Sequence, residues 1–219
     1  MTTQAQYGFR MGSTTSTFYH VGGPPIPYDG YEIDLRPYVG YDIAWIQISP
    51  QIPLFAWYVS VFRRYELTRR LGIQPEISFT QKGVAFRQRM YEDNHYRVKI
   101  NYVEVPLSVT YTYLQRDKSK GYIHWGGYGA YRINGFKKVT LANASNYTTK
   151  LISVKDFDAG IHLGIEYTHR IKDRYLSLQV RLFAGLCNVF VMPRNWTNMY
   201  YDTHKTKNAG FQISIGYEI

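Results

Sequence analysis

Apolar and polar residues alternate along several long stretches of the chain. In the closing segment, AGFQISIGYEI, Phe211, Ile213, Ile215 and Tyr217 alternate with small or polar residues. The same period of two recurs in YEIDLRPYVGYDIAW, LGIQPEISFTQKG, YVEVPLSVTYTY, DFDAGIHLGIEYTH and YLSLQVRLFAG, and more weakly in YGFRMG and YIHWGGYGAYRI. This period is typical of β-strands that have one apolar face and one polar face. The pattern therefore predicts an all-β fold of about eight strands.

Strand and connection lengths indicate where such a fold resides. The predicted strands have about ten residues or more, whereas strands of soluble sheets average about 5–6 and tilted membrane-crossing strands need about 9–11. Three predicted connections are short: one ending in Thr68–Arg70, 115–120 and 169–174. The others are longer, at about 19–31, 87–98, 134–153 and 193–207. Short turns that alternate with long loops are typical of outer-membrane barrels, with one periplasmic rim and one extracellular rim.

The polar face of these strands separates two kinds of barrel. A soluble, lipocalin-like barrel would turn its apolar face inward, whereas a membrane barrel is surrounded by lipid and inverts this arrangement. The polar face here is mostly Gly, Ser, Thr and Ala, nearly without Lys, and carries isolated charges of both signs. Such a face suits a narrow interior that Arg–carboxylate pairs close. We therefore predict an eight-stranded antiparallel transmembrane β-barrel in the outer membrane.

The charges on the polar face are expected to form a network inside the barrel. Arg181 and Glu104 should be buried in charge-paired hydrogen bonds, because an unpaired buried charge costs several kcal/mol. His124 and His162 are expected to make satisfied hydrogen bonds in the lumen, since no metal-ligand spacing recurs. The predicted lumen charge network comprises Arg10, Arg36, Asp42, Glu76, Glu104, Arg132, Asp158, His162, Glu166, Arg181 and Glu218.

Composition narrows the function classes. Aromatic residues make up 17% of the chain, and many stand at strand ends, where the interfacial girdles of a membrane barrel would lie. The net charge of +10 is scattered over turns and loops, so nucleic acid is not an expected partner. The single Cys187 excludes an internal disulfide and a CxxC metal cluster. No cofactor or metal is expected, and no Ser-His-Asp spacing indicates catalysis.

Five segments, taken in order, resemble a known family. They are QPEISFTQKG, NYVEVPLSVTYTY, DFDAGIHLGIEY, LSLQVRLFAGLCNVF and NAGFQISIGYEI. They resemble the PorT-like outer-membrane β-barrel family of Bacteroidota. The shared features are a Pro-Glu strand ending in Lys-Gly, a Tyr-x-Glu-x-Pro-Leu strand and a Gly-Leu-x-Asn ending. The resemblance covers about residues 70–219, and more weakly 7–48. It implies an eight-stranded barrel in the outer membrane, and some members of the family support type IX protein secretion.

The segment SPQIPLFAWYVSVFRRYELTRRL, residues 49–71, departs from the strand pattern. In the family pattern a short turn joins strands two and three, so the segment is interpreted as an insertion at 49–69 within a single domain that spans 1–219. Ser49 as N-cap, Pro50 as first helical residue and apolar residues at helical spacing favour an amphipathic helix at the periplasmic rim. The alternative is a strand extension folded under the barrel. The predicted membrane or partner face of the insertion comprises Leu54, Phe55, Tyr58, Val61, Phe62, Arg63, Arg64, Arg69 and Arg70.

Three hypotheses for function follow. The favoured one is a non-enzymatic outer-membrane barrel that acts by contact, with outer-membrane lipid and other envelope proteins as partners. Its role would be structural or accessory, and type IX protein secretion is the candidate assembly. The second is a small membrane enzyme that acts on lipid through His162, Glu166 and Arg181. The third is a binder of surface glycan or a host ligand that uses the loop residues Arg87, Arg89, Lys137, Lys138, Lys205 and Lys207.

Overall fold

The structure, a computed structural model, describes residues 5–21, 52–88, 94–140, 147–150, 154–189 and 205–219. These residues form nine β-strands. In chain order they are β1 Ala5–Val21, β2 Ile52–Glu66, β3 Leu71–Gln88, β4 Asn94–Arg116, β5 Ser119–Thr140, β6 Tyr147–Lys150, β7 Phe157–Ile171, β8 Arg174–Gly185 and β9 Lys205–Glu218. None of the described residues belongs to a helix that is long and apolar enough to cross a membrane.

Eight of the nine strands close into an antiparallel barrel. They pair in the order β1–β2–β3–β4–β5–β7–β8–β9, and β9 returns to pair with β1. The short strand β6 lies outside this circle and pairs with residues 136–139 of β5, beyond the part of β5 that pairs with β7. The predicted eight-stranded antiparallel barrel is therefore confirmed. The assignment of residues 1–219 to a single domain stays a prediction.

Alternation along the strands separates lipid-facing side chains from interior ones. On β7, Ile161, Leu163 and Ile165 are more than half exposed, whereas His162 and Glu166 are buried. The neighbouring strand β8 shows the same alternation of exposed and buried residues. Apolar side chains thus face outward and polar side chains face inward, which is the arrangement of a barrel surrounded by lipid.

The connections differ in length between the two ends of the barrel. At one end the turns are 67–70, 117–118 and 172–173, and Tyr7 and Ile219 exchange backbone hydrogen bonds of 3.3 and 2.8 Å there. At the other end the connections are 22–51, 89–93, 141–156 (which contains β6) and 186–204. Outer-membrane barrels have short periplasmic turns and long extracellular loops, so the end with the short turns is periplasmic.

The helix predicted for residues 49–69 is wrong, because Ile52–Glu66 forms strand β2. This strand pairs with β1 on one side and with β3 on the other, so it supplies the second strand of the barrel. Its inward face carries Tyr58 and Phe62, while Phe55 and Val61 face lipid. Both faces are therefore rich in apolar residues, and this hides the period of two. Residues 49–51, and the segment 31–45 predicted as a strand, lie outside the described residues.

The barrel wall is taller on one side. Strands β4 and β5 have 23 and 22 residues, whereas β8 has 12. The connections predicted at 87–98 and 134–153 are therefore partly strand, since β4 begins at Asn94 and β5 continues to Thr140. An apolar cluster fills the lumen near the extracellular end: Val84, Val98, Ile100, Tyr102, Tyr128, Ala130, Val154, Phe183 and Val189.

Candidate functional site

Six buried charges lie inside the barrel toward its periplasmic end. Each is at most 3% exposed, and each comes from a different strand. Their three positive and three negative charges balance, which is what a low-dielectric interior requires, since an unpaired buried charge is costly. We call this set the arginine network: Arg10, Arg64, Arg181, Glu76, Glu166 and Glu218.

Glu76 is the centre of one half of the arginine network. Arg181 donates to both of its carboxylate oxygens, at 2.8 and 3.3 Å, and Arg10 Nη1 donates at 3.3 Å. The hydroxyl of Tyr58 also donates to Glu76. A bidentate guanidinium, a second guanidinium and a phenol thus surround one carboxylate, and all of these hydrogen bonds favour its charged form.

Glu166 is the centre of the other half. Arg10 Nη2 donates to one carboxylate oxygen and Arg64 Nη2 to the other, each at 2.7 Å. His124 Nε2 lies 2.6 Å from the oxygen that Arg64 contacts. Because Arg10 contacts both Glu76 and Glu166, it joins the two halves of the network.

Arg64 extends the network to β9 and back to β3. Its Nη1 donates to Glu218 at 3.2 Å, and its Nε donates to Gln74 at 3.0 Å. The ion pairs therefore form one continuous chain across the lumen. In order, its members are Arg181, Glu76, Arg10, Glu166, Arg64 and Glu218.

Aromatic rings and a glycine accommodate the guanidinium groups. The Arg10 guanidinium carbon lies 3.7 Å from the ring centre of Phe62, and that of Arg64 lies 4.0 Å from the ring centre of Tyr122. These distances allow cation–π attraction in a desolvated site. Gly216 is the ladder partner of Arg10, and a Cβ at this position would come within 2.9 Å of Arg10 Cγ. Gly216 therefore leaves space that the Arg10 side chain fills.

A second set of buried charges lies nearer the extracellular end. Lys82 Nζ is 2.6 Å from a Glu104 oxygen and 3.5 Å from an Asp158 oxygen. Asn208 Nδ2 donates to the same Asp158 oxygen at 3.0 Å. We call these four residues, together with the rings around Lys82, the lysine cluster. Here a single buried cation meets two carboxylates.

Three aromatic rings surround the Lys82 ammonium. The centres of Tyr102, Tyr128 and Phe183 lie 5.4, 4.3 and 4.8 Å from Nζ. An ammonium within about 6 Å of a ring centre is attracted to the ring face, most strongly when water is excluded. The rings thus both stabilise the cation and fill the lumen around it.

A small cavity lies between the two sets of charges. Its lining includes Lys82, Glu104, His162 and Arg181. The volume within which the centre of a water molecule fits is about 10 Å³. That is room for about one water. His162 Nε2 lies 2.9 Å from the Ser108 hydroxyl, and both side chains are buried. The lumen is thus packed, with side chains rather than an open channel filling the described part of the barrel.

Most of the predicted lumen charges do point inward. Five belong to the arginine network, namely Arg10, Glu76, Glu166, Arg181 and Glu218, while Glu104 and Asp158 belong to the lysine cluster and His162 lines the cavity. Arg181 and Glu104 both have buried charge partners, in Glu76 and Lys82. Arg132 is different, because it lies near the extracellular end and its Nε donates to the exposed Asp156 at 3.1 Å. Arg36 and Asp42 lie outside the described residues.

The predicted partner face of residues 49–69 is divided between the two sides of β2. Tyr58, Phe62 and Arg64 are buried in the lumen, so their assignment to a membrane or partner face is wrong. The remaining members are at least partly exposed: Leu54, Phe55, Val61 and Arg63 on the strand, and Arg69 and Arg70 in the periplasmic turn. Helical spacing had grouped residues that a strand sends to opposite faces.

Two central cations were missed by sequence analysis. Arg64 was assigned to a helix, and Lys82 stands where the predicted strand LGIQPEISFTQKG was expected to end. A signal existed for both. Lys82 has the same parity as Glu76 on β3, and Arg64 has the same parity as Ser60 on β2, so strict alternation would have placed both inside.

A closed antiparallel barrel with an apolar exterior and a charged, filled interior is the architecture of an outer-membrane β-barrel protein. Residues 5–191 match the family model described as outer membrane protein beta-barrel domain. The chain belongs to this family, and the protein is located in the outer membrane. A search of curated protein sequences finds no match.

Several solved outer-membrane proteins are similar to the chain at low sequence identity. OprG from Pseudomonas aeruginosa is 11% identical with a TM-score of 0.48, over 99% of this chain and 97% of that chain. The neisserial surface protein NspA is 9% identical with a TM-score of 0.44, over 99% and 98% of the two chains. Ail of Yersinia pestis is 10% identical with a TM-score of 0.41, over 99% of each chain. At these values no function is carried over from them.

Proposed function

We propose that the protein is a non-enzymatic structural or accessory component of an outer-membrane assembly. Type IX protein secretion is the candidate assembly, on the basis of the resemblance to the PorT-like family of Bacteroidota. The partners in this proposal are outer-membrane lipid and other envelope proteins, and nucleic acid is not among them. The observation that carries the proposal is the packed lumen.

The packed lumen argues for function at the outer surface. The arginine network joins side chains from six strands across the interior, and the cavity above it has room for about one water. A barrel of about eight strands has an interior just wide enough for side chains to fill. Because side chains fill the described part of the lumen, we expect the protein to interact through its lipid face, its periplasmic turns and its extracellular loops.

The alternative hypothesis is a membrane enzyme that acts on lipid, and the contact between Ser108 and His162 is the feature that could support it. A nucleophile and base at 2.9 Å meet one requirement of acyl transfer. Both side chains are buried, however, and the adjoining cavity cannot admit a lipid headgroup. Glu166 is occupied by Arg10 and Arg64 and does not line that cavity. The geometry therefore favours a hydrogen bond that satisfies two lumen side chains.

The loop-binding hypothesis retains only part of its residue set. Lys138 is exposed, but Lys137 is buried on the other face of β5. Arg89 lies outside the described residues.

The proposal is tested by site-specific photo-crosslinking in native membranes. A photoreactive residue at Arg69 or Lys118, both exposed in periplasmic turns, should give discrete adducts with envelope proteins. The same residue at Ile77 or Leu163, which face lipid, serves as the matched control and should capture no partner protein. Mass spectrometry of the adducts identifies the partner.

Deletion of the gene supplies the second measurement. We expect secretion of type IX cargo to fall when the protein is absent and to recover when it is restored. If the turn positions yield no protein adducts and secretion is unchanged, the accessory role is refuted. If adducts form with another envelope complex, the contact function stands and the assignment to type IX secretion is wrong.

A further inference from the structure

The tall side of the barrel carries a group of cations on its outer surface. Arg97 and Lys99 of β4, Lys138 of β5 and Lys150 of β6, which we call the basic patch, are all at least partly exposed. Arg97 is the ladder partner of Lys138, and Phe136 is the ladder partner of both Lys99 and Lys150. Ladder partners direct their side chains to the same face of a sheet. The four cations therefore share one outward face.

No acidic residue lies within the parts of β4, β5 and β6 that carry these cations. Residues 94–101, 134–140 and 147–150 contain no Asp or Glu. Among the described residues, no ion pair joins the basic patch to a carboxylate. On the opposite face of the same residues Val98, Ile100 and Val139 are buried, together with Lys137. The four cations of the basic patch thus present their charge outward.

The basic patch continues the lipid-facing surface of the same strands. Tyr131, which is 63% exposed, belongs to the lipid-facing part of β5. A row of amides comes next, in which Gln81 donates to Asn101 at 2.9 Å and Asn101 donates to Asn134 at 2.6 Å. Lys99 follows Asn101 on the same face of β4. Toward the extracellular end, the outer surface therefore changes from apolar to neutral polar to cationic.

The lower edge of the basic patch, at Lys99, lies close to the height of the headgroup layer. A strand rises about 3.3 Å per residue and tilts by about 40°, so each residue adds about 2.5 Å of height. Lys99 therefore lies about 10 Å above the lipid-facing Val103. Headgroups occupy a layer about 5–8 Å thick outside the hydrocarbon, and long cationic side chains bend toward such an interface.

We propose that the basic patch binds phosphate groups of lipids in the outer leaflet, so that one wall of the barrel is a lipid-phosphate-binding face. Guanidinium and ammonium groups on adjacent strands can each donate to phosphate oxygens. Phe136 stands among them, 41% exposed, as an aromatic side chain at an interface commonly does. Continuity with the lipid-facing surface favours a lipid over a dissolved anion.

The test is the binding of fluorescent lipid A to the folded protein in zwitterionic detergent. A variant with R97Q, K99Q, K138Q and K150Q should bind at least about tenfold more weakly, since one cation at an anionic surface contributes about fivefold. A variant with K99R, K138R and K150R keeps the charge and should bind like the parent. Heat-modifiable gel migration verifies that each variant is folded. If the quadruple variant does not fold, the double variant R97Q/K138Q replaces it, and its affinity for lipid A should fall by about fivefold or more.

The matched control removes four exposed cations from the periplasmic end, with R69Q, R116Q, K118Q and R174Q. It should bind within about twofold of the parent, because its change in net charge is the same but its position is not. Equal losses of lipid A affinity in the two quadruple variants would overturn the proposal, as would parent-like binding by the basic-patch variant.

Two further arms identify the source of the phosphate. Inorganic phosphate, at the concentration of the lipid phosphate, should not displace lipid A, and dephosphorylated lipid A should bind as weakly as the basic-patch variant. Displacement by inorganic phosphate would assign the patch to a soluble anion and overturn the lipid proposal. Undiminished binding of dephosphorylated lipid A would show that phosphate is not recognised.

Discussion

The arginine network and the lysine cluster solve the same problem in different ways. Both bury charges in the lumen of one barrel. The arginine network balances three cations against three carboxylates through hydrogen bonds between side chains from six strands. The lysine cluster sets Lys82 against two carboxylates and encloses it in three rings.

The difference shows what each end of the lumen needs. A planar guanidinium has five donors and can bridge carboxylates on opposite walls, so Arg10 ties β1 to both β3 and β7. An ammonium is a compact charge that tolerates several directions of contact, and the rings supply bulk instead of directed bonds. We therefore expect the arginine network to depend strongly on each of its members and the lysine cluster to adapt.

Removal of Glu76 should give the largest effect. The substitution Glu76→Ala leaves Arg181 without a carboxylate within ion-pair distance among the described residues, and it leaves Arg10 with Glu166 alone. Breaking a buried ion pair by removing one partner costs about 3–5 kcal/mol. Urea unfolding in lipid vesicles, followed by tryptophan fluorescence, measures this loss. The matched control Glu76→Gln keeps an acceptor and should lose less, whereas equal losses would contradict the importance of hydrogen bonding.

Removal of Lys82 should come next. In Lys82→Met the carboxylates of Glu104 and Asp158 lose their shared cation, and removing one partner of a buried ion pair costs about 3–5 kcal/mol. We expect a loss at the lower end of this range, because Asn208 still donates to Asp158. Adding Glu104→Gln should recover part of the loss, because one of the two stranded charges is removed. The same urea titration reports both variants. A double variant less stable than Lys82→Met would contradict the pairing described for this cluster.

Exchanging the two kinds of cation should have intermediate effects. Arg181→Lys loses the bidentate contact with Glu76 and should cost about 1–2 kcal/mol. Lys82→Arg places a larger group among three rings and should cost about 1–3 kcal/mol by overpacking. Unfolding midpoints of the two variants test the comparison directly. If both exchanges are neutral, the two clusters differ in composition but not in what they require.

The smallest effect is expected at the extracellular mouth of the barrel. Asp156 is exposed and accepts a hydrogen bond from Arg132 near the extracellular end. Exposed ion pairs contribute less than about 1 kcal/mol, so Asp156→Asn should barely change the unfolding midpoint. Raising the salt concentration should remove what little difference exists, because exposed charges are screened. A loss as large as that of Glu76→Ala would show that burial does not govern these pairs.

Much of the wall could be predicted from the sequence alone. Strands β7, β8 and β9 alternate so regularly that their lipid-facing and lumen-facing residues follow from parity, and Glu76, Glu166 and Arg181 were placed correctly inside. The prediction failed at β2, where Tyr58 and Phe62 occupy the lumen face. Apolar residues on both faces imitate a helical spacing, which obscures the shared parity of Ser60 and Arg64.

The sequence by itself determined the period of the strands, the polarity of their faces and the alternation of short and long connections, because these depend on near neighbours in the chain. Closure of the barrel decided the rest. It brings Arg10 to Glu166 across 156 positions and places Phe62 against the Arg10 guanidinium. The register of the strands and the space left inside the barrel determine which cation meets which carboxylate. They also determine why a ring rather than a serine faces the lumen at Phe62. The register and this space exist only once β9, the last strand of the barrel, has paired with β1.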